Sequence, residues 1–406
     1  MATTKDQSKL WVLLAAGSLA VMPGAVIIPV LGDIKTQLLN DSLQQASWLA
    51  SAHYSMTALF SPLLGFLANR IGWVRVLVMS LVLFAVFGIA GTWATSFLPM
   101  LISRLLLGAA TGGIAAASLG ILAQMYDQAA DRSHAIALAS SAISLSNIVF
   151  PLLAGILGAD RWQVAFYLYG ISIPIAIAAV MLFPKQAGST AAGLDRVAAK
   201  PVLVAMSHPT VLRFFLTLLL TSATALATVT NLSIYLRNAP ISAATPIIGL
   251  ILASQAIGSA AISAFSLKGL TRRFGAVLSI GIGLGLMAFS LVAIPNLQQV
   301  SLLLPVAMLF GIGLGIVIPS HYAALANVTA PELQAIVLAV GTGMTFLGQF
   351  LSPGLFGFVL RALPTPWSEQ PMTVFYLAAG LVLSMGFLLV ASSRHLIQAE
   401  LAGRSQ

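Results

Sequence analysis

The chain has 406 residues, of which 59% are hydrophobic and only 7% are charged, and its formal net charge is +9. Soluble globular domains carry about 25% charged residues, so this composition excludes an ordinary soluble protein. It indicates a membrane-embedded chain with room for about a dozen crossings, since one crossing takes roughly 20 apolar residues. The basic residues lie in short loops rather than on one continuous face, which argues against a nucleic-acid partner.

Apolar runs of spanning length, bounded by charge or by Pro and Gly, predict an all-α membrane protein with twelve transmembrane helices. No small-residue cleavage pattern follows the first run, so we interpret it as a span rather than a signal peptide. The first six spans are expected at roughly 10–32, 46–68, 75–96, 98–124, 133–158 and 162–184. The second six are expected at roughly 211–236, 244–268, 276–295, 298–324, 333–360 and 371–393.

A long polar connection separates the two sets of spans. Residues 185–209 are predicted to form a cytoplasmic linker between an N-terminal six-helix bundle, 1–184, and a C-terminal six-helix bundle, 210–406. If both termini are cytoplasmic, fourteen of the nineteen Lys and Arg residues lie on cytoplasmic segments. Four lie outside, and Arg104 lies within a span. This bias is the one that the positive-inside rule predicts.

The connection after the second predicted span reads Gly65-Phe-Leu-Ala-Asn69-Arg70-Ile-Gly72-Trp-Val-Arg75. Its second glycine permits a tight turn, and its arginines hold the connection at the cytoplasmic surface. The segment resembles the signature loop of the major facilitator superfamily, Gly-x-Leu-Ala-Asp-Arg-x-Gly-Arg-Lys. Asn69 replaces the Asp that helps to latch the cytoplasmic side closed in relatives, so the resemblance does not imply a charged latch here. A degenerate second copy, Leu270-Thr-Arg272-Arg273-Phe-Gly275, follows the eighth predicted span.

Two further motifs carry the resemblance. The fourth span contains Arg104-Leu-Leu-Leu-Gly108-Ala-Ala-Thr-Gly112, which resembles the arginine-containing fourth-helix motif of the family. The fifth contains Phe150-Pro151-Leu-Leu-Ala154-Gly155, which resembles the Gly-Pro-x-x-Gly-Gly motif of antiporters without two of its glycines. The resemblance covers the whole chain. It implies the major facilitator fold, alternating access and a relation to the drug:proton antiporter-like branch.

The two predicted halves also repeat one another at an offset of 202 or 203 residues. Matched motifs in the same order indicate duplication, and two parallel repeats with a site between them are the plan of facilitator-type transporters. The matched residues include Gly108 with Gly311, Gly112 with Gly315, Asn147 with Gln349, Pro151 with Pro353, and Gly155 with Gly357.

Arg104 is the only charged residue that we place inside a span, about two turns from its outer end. A charge at that depth costs at least a few kcal/mol unless it faces protein or water, which makes Arg104 a functional candidate. The alternatives are that its side chain snorkels to the membrane surface or braces helix packing.

The seventh span carries polar residues spaced three and four apart, which places them on one helical face. Such a face should turn away from lipid and line a pathway, although Ser and Thr also join helices in membrane bundles. Its members are Thr217, Thr221, Thr224, Thr228, Asn231 and Tyr235.

Several other residues are candidates for substrate or proton binding. His53 and His321 could each carry a coupling proton, because imidazole titrates near neutral pH, although a lone histidine is more often a hydrogen-bonding core residue. Asp33, at the end of the first span, is the nearest acidic candidate. Asn147, Gln255 and Gln349 are neutral substrate contacts or gap-fillers. In the fifth span, Pro151 and Gly155 are expected to bend the helix and to permit close packing.

The chain carries no cysteine and no nucleotide-binding loop, so we expect no enzyme, no cofactor, no metal site and no ATP-driven pump. We expect a monomeric secondary transporter in the cytoplasmic membrane of a bacterium, with a small molecule, protons and lipid as partners. The resemblance implies proton-coupled export of an organic compound. A buried arginine without a buried acid instead suits a neutral or anionic substrate, so uptake or facilitated diffusion of such a metabolite stays open. A channel and a receptor that moves nothing are further alternatives.

Overall fold

The computed structural model describes residues 4–126, 129–183, 206–238, 241–265, 267–364 and 371–393. Most of the predicted linker, 185–209, lies outside the described residues. The described residues form α-helices joined by short 3-10 turns and loops. They divide into two compact units, of which the first comprises Met1–Leu194 and Ala244–Leu250 and the second comprises Asp195–Ala243 and Ile251–Gln406.

The helices of the first unit include three long ones. In chain order they are α1 (Thr4–Ser18), α2 (Met22–Ile27), α3 (Leu31–Leu38), α4 (Leu43–Ile71), α5 (Trp73–Ala90), α6 (Phe97–Met125), α7 (Ala129–Leu157), α8 (Trp162–Ala165) and α9 (Ser172–Leu182). Three 3-10 turns join some of them, at Leu19–Val21, Gly91–Trp93 and Phe166–Ile171.

The remaining helices belong to the second unit, except that the start of one of them lies in the first. They are α10 (Pro209–Asn238), α11 (Thr245–Phe265), α12 (Leu267–Phe274), α13 (Ala276–Ala293), α14 (Val300–Val328), α15 (Pro331–Arg361) and α16 (Pro371–Ser392). A 3-10 turn at Ile294–Asn296 follows α13. Because Ala244–Leu250 belongs to the first unit, the first turns of α11 pack there.

Eleven helical segments of the described residues are long and apolar enough to cross a membrane. Each coincides with one of the predicted spans, so this is a multi-pass membrane protein. The prediction of twelve such helices is not matched at α4, which has 29 residues but is not among the eleven. Polar side chains that include Ser51, His53 and Thr57 are buried along this helix and reduce its mean hydropathy.

The first predicted span, 10–32, is not one continuous helix. It is interrupted by the turn Leu19–Val21 and again between α2 and α3. Pro23 and Pro29 lack the amide hydrogen that an uninterrupted helix would use. At the first interruption, Met22 N–H donates to the carbonyl of Leu19 and closes a tighter turn instead. Asp33 therefore lies in the separate helix α3 rather than at the end of a long span.

The two glycine turns expected from the loop motif and its degenerate copy are present. Gly72, between α4 and α5, has a φ of 101°, and Gly275, between α12 and α13, has a φ of 86°. Residues with a Cβ rarely adopt this conformation, so glycine is required at both turns. Around the first turn, Arg75 Nη1 donates to the carbonyl of Ile71 at 3.3 Å. Arg70 lies over the ring of Phe66, at 4.8 Å from its centroid.

Glycines on α6 and α14 bring each helix into backbone contact with a neighbour. A Cβ added at Gly108 would collide with the backbone of His53 on α4, and one added at Gly311 would collide with the backbone of Gln255 on α11. His53 and Gln255 are themselves 202 positions apart. Each unit therefore uses the same contact at corresponding sequence positions. In the first unit, Thr57 Oγ1 also donates across this contact to the carbonyl of Gly108 at 3.1 Å.

Candidate functional site

Arg104 lies in the interior of the first unit, seven residues after the start of α6. Its side chain is fully buried, with 0% exposure. Its Nη1 donates to the hydroxyl of Tyr169 at 3.1 Å, and its Nη2 donates to the carbonyl of Gly88 at 3.0 Å and to Ser103 Oγ at 2.9 Å. The guanidinium thus joins α5, α6 and the turn after α8. It does not snorkel to the membrane surface.

The charge of Arg104 is stabilised by dipoles and aromatic faces. Within the described part of the chain, no carboxylate lies at ion-pair distance from it. Its Cζ lies 4.5 Å from the ring centroid of Phe166 and 5.3 Å from that of Tyr169, distances at which the ring quadrupole attracts a cation. The carbonyl of Gly88 is in the last turn of α5, the negative end of that helix. Only Nε of Arg104 lacks a hydrogen-bond partner among the described residues.

His53 lies on α4, beside this cluster. It is 2% exposed, and its Nδ1 has no hydrogen-bond partner in the residues that the structure describes. Its ring is tilted against that of Tyr54, with 3.9 Å between centroids. The ring also faces Gly24 of α2, where an added Cβ would lie 3.6 Å from Cε1 and Nε2. A buried polar atom without a partner is costly, and Nδ1 of His53 therefore has unused hydrogen-bonding capacity.

Asp33 is a buried carboxylate in the first turn of α3, with 6% exposure. Its Oδ2 accepts a hydrogen bond from Thr245 Oγ1 at 3.0 Å. Thr245 begins α11, and this part of α11 belongs to the first unit. The negative carboxylate lies at the positive end of that helix, a favourable placement. Asp33 therefore links α3 to the start of α11, a contact that the sequence did not predict.

The Pro151 and Gly155 turn of α7 also contacts the start of α11. A Cβ at Gly155 would lie 2.9 Å from the carbonyl of Thr245 and 3.2 Å from Cα of Gly249. One at Gly249 would lie 2.5 Å from the carbonyl of Pro151. The expected role of these residues in close packing is thus visible in the backbone geometry. Asn147, one turn earlier, is half-buried.

The polar face of α10 is buried along its whole length. Some of its groups pair within the helix, since Thr228 Oγ1 donates to the carbonyl of Thr224 and Asn231 Nδ2 donates to that of Ala227, both at 2.8 Å. The hydroxyls of Thr221 and Thr224 and the Oδ1 of Asn231 find no partner among the described residues. The face therefore has unused capacity for both donating and accepting hydrogen bonds. The exposed fractions are 8% for Thr217, 0% for Thr221, Thr224 and Thr228, 4% for Asn231 and 5% for Tyr235.

The two glutamine candidates of the second unit show the same property. Gln255 on α11 is 7% exposed and its Nε2 is unpaired, and Gln349 Oε1 on α15 is unpaired as well, within the described residues. Gln349 follows Gly348, where an added Cβ would collide with the carbonyl of Leu219 on α10. Gln349 therefore lies beside the helix that carries the polar face.

His321, on α14, is fully buried and contacts this polar face at Thr217. Sequence reasoning named both residues but could not pair them, because 104 positions separate them. It missed Tyr169 and Thr245, the partners of Arg104 and Asp33. Each of these two residues carries a hydroxyl within or beside an apolar run. Such hydroxyls are common in membrane helices, so this feature does not single the two residues out.

The sequence model of the Major Facilitator Superfamily matches residues 13–245, more than half of the chain. The chain belongs to the major facilitator superfamily. Membership in this superfamily indicates a membrane transporter rather than an enzyme.

This superfamily member is similar in sequence to known drug exporters. The multidrug export protein EmrB of Escherichia coli strain K12 is 30% identical over 145 residues, which are 36% of this chain and 28% of EmrB. The chain therefore matches less than a third of that relative's length. Together with the motifs, the match relates the protein to the drug:proton antiporter-like branch.

Solved structures share the fold over nearly the whole chain. A bacterial homologue of the human lysosomal transporter Spinster, solved in an inward-facing and unoccupied conformation, has a TM-score of 0.76 at 15% identity, with 98% of each chain covered. A variant of the nucleoside transporter NupG has a TM-score of 0.77 at 14% identity, with 95% of this chain and 99% of NupG covered. At such low identity, these similarities establish the fold alone.

Proposed function

We propose that this protein is a secondary transporter that exports a small organic compound across the cytoplasmic membrane in exchange for protons, by alternating access. The observation that carries the proposal is its sequence similarity to the multidrug export protein EmrB within a chain of the major facilitator superfamily. We further propose that it acts as a monomer with both termini in the cytoplasm. The proposal includes the N-terminal bundle 1–184, the linker 185–209 and the C-terminal bundle 210–406.

The proposal also counts α4 as a membrane span, which brings the number of spans from eleven to twelve. Its length of 29 residues suffices to cross the hydrocarbon core, since a crossing needs about 20 residues. Its backbone packs against α6 at Gly108 and Gly112, and its Ser51, His53 and Thr57 are buried. The positive φ of Gly72 after α4 supports a tight turn at the membrane surface.

The proposal also assigns roles to the candidate residues. The polar face of α10, with Gln255 and Gln349, contacts the substrate, which is supported by its buried unpaired hydroxyl and amide groups. Arg104 braces the first unit, which is supported by the engagement of both its terminal nitrogens with protein groups. Close packing at Gly155 of α7 supports its role in the conformational change.

A second candidate function is uptake or equilibration of a neutral or anionic metabolite. It is favoured by the chemistry of the unpaired buried groups, which among the described residues of the second unit are all hydroxyls and amides. Among the described side chains, Asp33 is the only buried carboxylate, and it already accepts from Thr245. A lipophilic cation would find little negative charge to offset its own desolvation.

Transport by reconstituted protein separates these candidates. Purified protein is placed in liposomes, and the movement of ethidium, uridine and benzoate is followed with and without an imposed pH gradient, against protein-free liposomes. Gradient-dependent ethidium movement is expected for the exporter. Saturable uridine or benzoate equilibration that ignores the gradient would favour the second candidate. Flux that is linear in concentration would indicate a channel, and binding without flux would indicate a receptor.

A further inference from the structure

His321 is hydrogen bonded at both ring nitrogens inside the second unit. Its Nδ1 lies 2.8 Å from the carbonyl oxygen of Val317, and its Nε2 lies 2.9 Å from the hydroxyl of Thr217 on α10. A carbonyl oxygen only accepts, so Nδ1 carries a hydrogen in this arrangement. The protonation state of the ring is therefore decided at Nε2, the nitrogen that faces Thr217.

Thr217 can accommodate either state of Nε2. Its hydroxyl oxygen also lies 2.9 Å from the carbonyl oxygen of Arg213 and 3.1 Å from that of Phe214. When the ring is neutral, the hydroxyl donates its one hydrogen to Nε2. When Nε2 takes up a proton, it donates to the hydroxyl oxygen, whose hydrogen turns to one of the two carbonyls. All these polar atoms stay hydrogen bonded in both states without the displacement of any heavier atom.

Contacts from α10 and α11 stabilise α14 and the imidazole ring of His321. Pro319, two residues before His321, has no amide hydrogen, so the carbonyl of Gly315 lacks its usual helical donor. Ser263 of α11 donates to that carbonyl at 3.2 Å. The rings of Phe214 and His321 pack in a T-shaped arrangement with 6.3 Å between centroids. The imidazole thus packs against α10, on a helix in which the carbonyl left free by Pro319 has a donor on a neighbouring helix.

Few charged or titratable groups surround the ring. On α10 the nearest is Arg213, which is exposed and donates to the carbonyl of Ser392 at 3.2 Å. On α14 itself Tyr322 bonds to hydroxyls of α15. Helices α11 and α13 carry no titratable residue, α16 carries only Tyr376, and α15 carries its charges only near its ends, at Glu332 and Arg361.

A proton at His321 therefore keeps its hydrogen bonds but has no counter-ion on the described parts of these helices. Such a buried charge is unfavourable unless the conformation changes to admit water or a partner. A group whose charge state is favoured differently in two conformations shifts the equilibrium between them. This is the property that coupling of a proton to transport requires.

We propose that His321 and Thr217 form the proton-binding site through which this protein is coupled to the pH gradient. The inference rests on the proposed function as a transporter. Nε2 accepts a proton from water on one side of the membrane through its lone pair, and returns it to water on the other side after the conformational change. Thr217 is a positioning residue whose hydroxyl follows the proton.

The site can be tested without any substrate by nitrogen NMR of ¹⁵N-histidine-labelled protein in detergent. The His321 signal is identified by its loss in His321→Gln. We expect the Nδ1–H tautomer at high pH and uptake of a proton at Nε2 as the pH falls. In Thr217→Val the midpoint should fall by about one pH unit, because a hydrogen bond from a charged donor is worth more than one from a neutral donor. Thr217→Ser should keep the wild-type midpoint. An Nε2–H tautomer, or equal midpoints in all three proteins, overturns the proposal.

Transport assays then separate this inference from the proposed function. The panel compound that moves is measured in counterflow, which needs no gradient, and in accumulation driven by a pH gradient. His321→Gln should keep counterflow within about twofold and lose at least tenfold of its driven accumulation. His208→Gln, an exposed histidine before α10, serves as the matched control and should behave as wild type. Normal driven accumulation in His321→Gln overturns this inference alone, whereas a wild-type protein without counterflow overturns the proposed function and the inference with it.

Discussion

The hydroxyl of Tyr169 links Arg104 to Pro23, which lies just after the first interruption of the helix in the first span. It accepts from Arg104 Nη1 at 3.1 Å and donates to the carbonyl of Pro23 at 3.3 Å. The hydroxyl can form both hydrogen bonds at once, because a guanidinium only donates and a carbonyl only accepts. One phenol thus links α2, α6 and the turn that follows α8. The charge of Arg104 is held where three elements of the first unit meet.

Tyr169→Phe should therefore destabilise the protein. Removal of the hydroxyl leaves one terminal nitrogen of Arg104 and the carbonyl of Pro23 without this partner. Since hydrogen bonds to charged groups contribute about 1.5–3 kcal/mol, we expect the free energy of unfolding to fall by about that amount. The measurement is thermal unfolding in detergent. Tyr167→Phe is the matched control, because Tyr167 lies on the same turn but is 55% exposed. Equal unfolding temperatures for the two variants would show that the bridge contributes nothing.

Much of the fold could be predicted from the sequence, because hydropathy reports where apolar helices lie. The predicted spans coincided with helices, α4 included, except that the first is interrupted near Pro23 and Pro29 and the sixth by the 3-10 turn Phe166–Ile171. A hydropathy average over a window does not detect such local departures from a regular helix. The glycines of α6 and α14 were recognised as a repeat, and their backbone contacts explain why the spacing recurs.

The sequence predicted individual residues of the candidate site but not which of them contact one another. The polar face of α10 follows from spacing along one helix, and all its members are buried. The partners of buried groups could not be predicted in the same way. The bond between Arg104 and Tyr169 joins residues 65 positions apart, and that between Asp33 and Thr245 joins residues 212 apart. Such contacts depend on how helices pack, which a single sequence does not specify.

Gly108→Ala and Gly311→Ala should each destabilise the protein through the backbone contacts that the two glycines share. An added methyl group would collide with backbone atoms, which cannot rotate away as a side chain can. Overpacking of this kind costs typically about 1–3 kcal/mol, and thermal unfolding in detergent measures it. Gly285→Ala on α13 is the control, because nothing lies within 4 Å of its added Cβ. It should unfold no earlier than wild type, since alanine favours a helix by about 0.5–1 kcal/mol over glycine. An equal loss of stability in all three variants would indicate an effect of helix propensity or a low overall stability instead.

Thr245→Val should loosen α3, because valine keeps the shape of threonine but cannot donate to Asp33. One hydrogen bond to a charged acceptor contributes about 1.5–3 kcal/mol, so amides of α3 should exchange with solvent at least about tenfold faster. Hydrogen exchange followed by mass spectrometry of the peptide covering Leu31–Leu38 measures the effect. Thr245→Ser retains the hydroxyl and should exchange as wild type does. Asp33→Asn keeps an acceptor without the charge, and an intermediate rate is expected. Unchanged exchange in Thr245→Val would mean that this hydrogen bond does not stabilise α3.

Single cysteines should reveal whether the polar face of α10 meets water and substrate. The natural chain has no cysteine, so each variant carries one thiol without further substitution. Thr224→Cys and Asn231→Cys place a thiol where unpaired polar groups are buried, and we expect both to react with a charged methanethiosulfonate reagent during turnover. Leu216→Cys is the control, since Leu216 lies on the same helix and is 57% exposed on an apolar face. It should resist the charged reagent and react with a membrane-permeant maleimide.

The same variants distinguish a substrate pathway from a polar contact between helices. If the face binds the transported compound, a saturating concentration of the compound should slow labelling at Thr224→Cys at least fivefold and leave Leu216→Cys unchanged. The reason is that a bound ligand occupies the hydrogen-bonding groups and excludes the reagent, whereas lipid exposure does not depend on substrate. Thiols at positions 224 and 231 that stay unreactive under every condition would assign the face to helix packing. The substrate contacts would then have to be sought elsewhere, beginning with His53 and its unpaired Nδ1.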